Sequence, residues 1–122
     1  YRWVHKDISE NDFLPIPLMK YNPPRVLDDS DLHCEYYCLS VYKDLASAKS
    51  NYKETYVRRS KVKEELAENF KKNIGDHSVK LKLAKQDGIS DLPNTKTGHF
   101  SFHPYEDCKF LEKVIGIFDN FV

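Results

Sequence analysis

From residue 62 to residue 75 apolar side chains return at every fourth position: Val62, Leu66, Phe70 and Ile74, with Ala67 beside them. That spacing lays one apolar stripe along a helix, and Gly75 stands where a helix-terminating glycine belongs. Ser60 is the expected N-cap of this helix, and Glu68 with Lys72 forms an i,i+4 pair of the favourable orientation. Upstream, Asp44 reads as the N-cap of a helix over residues 44–58, with Leu45, Ala48, Tyr52 and Tyr56 at helical spacing. Elsewhere the period is two. Residues 1–5 are aromatic and β-branched and read as a short strand, and residues 38–42 as a second. Val79, Leu81 and Leu83 alternate with Lys80 and Lys82, the pattern of a half-buried strand. From 99 to 103, Phe100 and Phe102 point one way while His99, Ser101 and His103 point the other. Residues 86–97 hold Asp-Gly, Leu-Pro-Asn and Thr-Gly steps and read as a loop. Residues 111–118 fit a helix or a buried strand. Gly116 disfavours the helix by roughly 1 kcal/mol, which tips the reading to strand.

Pro15, Pro17, Pro23 and Pro24 exclude regular helix across residues 13–25. The apolar residues there (Phe13, Leu14, Ile16, Leu18, Met19) fit a packed loop over the core. Asp28, Asp29, Ser30 and Asp31 carry N-cap chemistry for a short helix or turn at 32–37. No repeat, low-complexity stretch or linker interrupts the chain, so 1–122 reads as a single globular domain. The expected class is α+β: a small, mainly antiparallel sheet with two central helices packed on one side.

Composition narrows the classes. At 122 residues the chain can bury a real core, and its 40% hydrophobic and 31% charged content is that of a globular protein. No apolar run approaches the ~20 residues that span a bilayer, and no secretory h-region opens it. No membrane partner is expected. Three cysteines (Cys34, Cys38, Cys108) are too few for a disulfide framework and fit a reducing compartment, so the expected location is cytoplasmic. The zero net charge hides a segregation. Residues 1–42 carry four basic and seven acidic side chains (−3), 43–85 twelve and six (+6), and 86–122 three and six (−3). Such a split suits self-association or a charged partner.

Candidate chemistry concentrates at 98–107. Two imidazoles and a hydroxyl share one strand face, and Tyr105, Glu106 and Asp107 follow. At ~3.3 Å per residue His99 and His103 lie ~13 Å apart, so they cannot share a metal, although they can flank a substrate. His33, Cys34 and Cys38 are zinc-type donors short of the four that a structural site needs, so no metal is expected. Only four scattered glycines exist, and no phosphate loop, His-Glu-x-x-His or nucleophile elbow occurs. ATPases and standard dehydrogenases are thereby excluded. Arg58, Arg59, Lys61 and Lys63 form a basic knot preceded by Tyr52 and Tyr56, a combination that binds RNA elsewhere. The two tyrosines also read simply as the stripe of their helix.

Arg2 on an opening strand, Ser40 leading into a helix, and late Glu106 follow one another in an order that resembles small toxin-type ADP-ribosyltransferase domains. The resemblance covers these three positions and has one Ser where that family has Ser-x-Ser. It implies NAD as cofactor, with Arg2 on the dinucleotide phosphates, Ser40 at the nicotinamide ribose and Glu106 orienting the transferred ribose. A cofactor-free ribonuclease is the other enzyme reading, with His99 and His103 as base and acid. Against both stands a protein-interaction or accessory module, of the kind found in bacterial toxin or defence systems, that needs no cofactor. Its contact residues would be Phe13, Leu14, Tyr21, Arg25, Arg58, Arg59 and Tyr105, and its partner another protein or a second copy. No motif supports catalysis, so the module is the expected function and the nucleotide- or RNA-directed enzyme the alternative.

Overall fold

Trp3 decides how the layers stack. It lies on strand β1 (Arg2–Val4), and successive strand residues face opposite ways. In the computed structural model, which describes residues 1–14, 38–105 and 107–122, Trp3 faces the helices and Val4 faces away from them. The Trp3 Nε1–H donates to the Ala48 carbonyl at 2.9 Å. Its ring stacks on Tyr42 at 5.1 Å and meets Tyr52 and Phe70 edge-on at 5.3 and 5.8 Å. Val4 packs instead with Phe13, Leu39 and Val79, flanked by Ile8, Leu81, Phe110 and Val114. One short strand therefore separates an aromatic core from an aliphatic one.

The remaining elements are β2 (Leu39–Tyr42), α1 (Leu45–Val62), α2 (Glu64–Ile74), β3 (His77–Leu81), β4 (Gly88–Ser90), β5 (His99–Pro104) and β6 (Val114–Asp119), with 3-10 turns at Glu10–Phe13 and Phe110–Lys113. The class is α+β, with the helices against the sheets. The antiparallel strands divide into two three-stranded sheets, ordered β1-β3-β6 and β2-β5-β4. The sheets meet where Tyr1 and Tyr42 exchange main-chain bonds, at 2.7 and 2.8 Å.

Asp44 caps α1 by accepting from Ser47 N–H at 2.7 Å. The break expected at Ser60 does not occur. Arg58, Arg59 and Lys61 are good helix formers at a basic C-terminal turn, which suits the helix dipole, and the Ser60 hydroxyl donates back to the Val57 carbonyl. Lys63 alone is extended (φ −155°), and α2 restarts behind it with Glu64 and Glu65 in its first turn. Glu68 accepts from the Tyr56 hydroxyl at 2.7 Å, and no ion pair joins it to Lys72 among the described residues. Gly75 ends α2 at φ 89°, where a Cβ would sit 2.1 Å from the Val4 carbonyl oxygen.

Two further expectations need correction. The loop over 86–97 contains β4, whose three residues pair with the end of β5 and are too few to show a period. The strand carrying Val79 and Leu81 begins at His77 and ends before Leu83. Residues 111–118 resolve into a 3-10 turn followed by the strand β6. The short helix or turn expected at 32–37 lies outside the described residues.

Candidate functional site

The second sheet gathers most of the expected catalytic residues on one face. Its register sets Tyr42 opposite His99, Ser40 opposite Ser101, and Ile89 opposite His103. Cross-strand partners share a face, so Ser40, Ser101, His99 and His103 look the same way while Val41 and Phe102 are buried on the other. Arg2 reaches the margin of this face, its Nη1 donating to the Ser40 carbonyl at 2.8 Å.

Arg2, His99 and His103 are nevertheless each engaged in contacts of their own. Arg2 also donates from Nε to the Asp12 carbonyl at 2.8 Å, so the guanidinium ties three segments together. Burial pulls its pKa down to about 10, against the opposing charge of Asp12. The His99 ring packs edge-on against Tyr42 at 5.5 Å, and burial lowers its pKa, so it is neutral at neutral pH. His103 Nε2 lies 3.3 Å from the exposed Asp91 carboxylate. Among the described residues no hydrogen bond joins the Ser40 or Ser101 hydroxyl to either imidazole. The face is polar but holds no nucleophile–base pair. Glu106 lies outside the described residues.

The expected contact residues are dispersed. Phe13 is a core residue, not a surface one: it is 5% exposed and stacks on Phe110 at 5.0 Å. The apolar side chain simply joins the aliphatic core that the turn at 10–13 covers. Leu14 is half-buried. Arg58 and Arg59 are exposed on α1, with Arg59 over the Phe70 ring at 5.1 Å. Tyr105 is exposed beyond β5. Tyr21 and Arg25 lie outside the described residues, as do His33 and Cys34.

Three features escape the sequence. The first is His5. Its Nδ1 lies 2.6 Å from Asp12 Oδ1 and its Nε2 lies 2.8 Å from the Lys72 carbonyl. Both partners are acceptors, so the doubly protonated ring is the form that satisfies both contacts. Burial pulls its pKa down, but the Asp12 hydrogen bond, the Lys72 carbonyl and the charges of Asp12 and Asp76 outweigh that, and the net direction is up. Nothing in the spacing of 5, 12 and 72 announces the contact.

The second is a cleft of about 590 Å3 between the sheets. Val41, Phe100 and Phe102 line one wall and Leu81 and Leu83 the other, while Lys43, Lys80 and Lys85 stand around it. The alternation of β5 and the lysine-leucine alternation after Val79 are its sequence traces, but only the joint at Tyr1 and Tyr42 brings them together.

The third is the outer edge of β6, which pairs with no second strand among the described residues. Asn120 N–H donates to the Asp76 carbonyl at 2.9 Å, which marks a bonded pair. Bonded pairs alternate along an antiparallel ladder, so Phe118 and Gly116 bond to β3. The main-chain groups of Ile117 and Asp119 then point away from the sheet, and none of them has a partner among the described residues. Ile115 and Ile117 are 56% and 42% exposed.

No family model, curated protein or solved structure matches this chain. No helix among the described residues is long and apolar enough to cross a membrane.

Proposed function

We propose that this chain is a protein-interaction module without a catalytic centre of its own, and that it takes its partner by strand addition at β6. The observation that carries this reading is the outer edge of β6, which no strand pairs among the described residues. Sheet edges are ordinarily blunted by lysine, proline, a bulge that twists them away or a covering element. β6 reads Val-Ile-Gly-Ile-Phe-Asp, with no lysine or proline in six residues, and its one register shift, where Lys80 pairs with Gly116 but Leu81 with Val114, lies at its start and leaves Gly116–Asp119 regular. It offers main-chain donors and acceptors between two exposed isoleucines, which is the chemistry that recruits an extended chain. The engagement of Arg2, His99 and His103 in contacts of their own favours the module over the ADP-ribosyltransferase-like and ribonuclease readings.

The partner we propose is a second copy. A two-fold axis at Ile117 pairs β6 with itself antiparallel, sets the outward groups of Ile117 against their own kind, and lays Phe118 opposite Gly116. An aromatic ring across from a strand glycine is a stabilising pair. The test is light scattering across a concentration series for the wild type and Ile117→Pro. Proline removes only the outward-facing N–H and leaves the β3–β6 bonds in place. A wild-type dimer that Ile117→Pro converts to monomer, with unchanged circular dichroism, is expected. A wild type that stays monomeric and ignores a peptide copy of residues 113–120 would refute strand addition.

A further inference from the structure

We propose that the cleft between the two sheets is a nucleotide site, which receives a nucleoside polyphosphate with its phosphates on Lys43, Lys80 and Lys85 and its base against Phe100. This site is separate from the β6 edge, and its test does not depend on that reading. Size comes first. At about 590 Å3 the cleft falls inside the ~300–1,000 Å3 range of small-ligand sites.

Charge decides the class. Three ammonium groups surround the cleft, and no carboxylate is among its lining residues. The ion pairs of the described residues are His5 with Asp12, His77 with Asp76 and Asp119, His103 with Asp91, and Lys113 with Asp87. None uses Lys43, Lys80 or Lys85. All three are exposed and in reach of a ligand. Lys43 feels the neighbouring Asp44 carboxylate, but Lys80 and Lys85 have no ion-pair partner among the described residues; cations set around one cavity repel one another, and a ligand carrying two or more negative charges relieves that repulsion. A fatty acid brings a single charge.

The walls decide what the anion is attached to. Tyr1, Phe100 and Phe102 are aromatic, and Ser90 adds a hydroxyl. Flat rings accept a flat base by offset stacking, and Phe100 is the half-buried ring among the strand residues of this wall. A bare inorganic anion would leave that apolar surface in water. An acyl chain would need an enclosed aliphatic tunnel, whereas Lys43, Lys80, Lys85 and Ser90 interrupt this lining.

The experiment is calorimetric and NMR titration of the whole chain with ADP, inorganic pyrophosphate, adenosine and laurate in parallel. The expected result is saturable ADP binding at least ~10-fold tighter than either pyrophosphate or adenosine, because both halves of the ligand contribute. Lys80→Ala/Lys85→Ala should weaken ADP by roughly 10-fold or more and steepen no other property, since both side chains are exposed and unpaired. Phe100→Leu should weaken ADP while leaving pyrophosphate unchanged, which separates loss of stacking from loss of fold. Equal affinity for pyrophosphate and ADP would overturn the proposal in favour of a simple anion patch. Tighter binding of laurate, or no saturation with ADP, would overturn it outright.

Discussion

Tyr52 and Tyr56 lie one turn apart on α1, and each donates its hydroxyl to a single acceptor. Replacing either by Phe removes the same oxygen from two different environments. Tyr52 is 0% exposed and donates to the Gly75 carbonyl, just beyond the end of α2. Burial pushes its phenol well above the ordinary range. In Tyr52→Phe the ring keeps its contacts with Trp3, Phe70 and Phe121, but the Gly75 carbonyl loses its donor where water cannot replace it. An acceptor orphaned in this way costs about 1–3 kcal/mol. For a domain of this size that is a fall in Tm of roughly 4 °C per kcal/mol, so ~4–12 °C in all. The Tyr56 hydroxyl donates to the Glu68 carboxylate at an exposed site, where water takes over at once, so Tyr56→Phe should leave the midpoint unmoved. Trp3 is the only tryptophan, and it touches Tyr52, so its fluorescence reports the relevant core during urea and thermal unfolding. Equal losses in the two variants, or a Tyr52→Phe midpoint indistinguishable from wild type, would refute the claim that burial of the Gly75 carbonyl sets the cost.

Two further outcomes follow from the same contacts. Gly75→Ala should cost at least ~2 kcal/mol, because alanine is strained at φ 89° and its Cβ would meet the Val4 carbonyl oxygen; a variant as stable as wild type in urea would show that the chain has another way past Val4. His5 has a folded pKa raised above its ordinary 6.5, so its contribution to stability is complete below about pH 6.5 and fades as pH climbs through the folded value. Wild-type stability should therefore decline across that window relative to His5→Gln, which keeps every other titrating group, and parallel curves for the two proteins would rule out the imidazolium clamp.

Local pattern was enough for most of the elements. The four-residue spacing of Phe70 and Ile74 gives α2, Asp44 gives the start of α1, and strict alternation gives β5, because each signal needs only neighbours along the chain. It failed where the deciding contact was distant or the element was short. Ser60 has the chemistry of a cap, yet within a run of helix formers it bonds back to Val57. β4 has three residues and exists because β5 offers it an edge. Phe13, expected both in a packed loop and among the contact residues, proved to be core alone, because its cover, Phe110, is far along the chain.

The candidate sites divide in the same way. The polar face of β5 could be read in the sequence, since alternation alone places His99, Ser101 and His103 together, and the antiparallel class followed from the same periodicities. What each side chain is free to do could not. The bonds of Arg2 to Asp12 and Ser40, of His5 to Asp12 and Lys72, and of Tyr52 to Gly75 all join residues that no local pattern relates. The division of the strands into two sheets, the lysine-rimmed cleft between them and the outer edge of β6 depend on which strands become neighbours. Strand pairing is a choice among distant partners, made by the burial of Trp3 on one side of β1 and Val4 on the other. The sequence therefore determined the elements and their faces, while only tertiary packing decided which faces meet and which are left without a neighbour among the described residues.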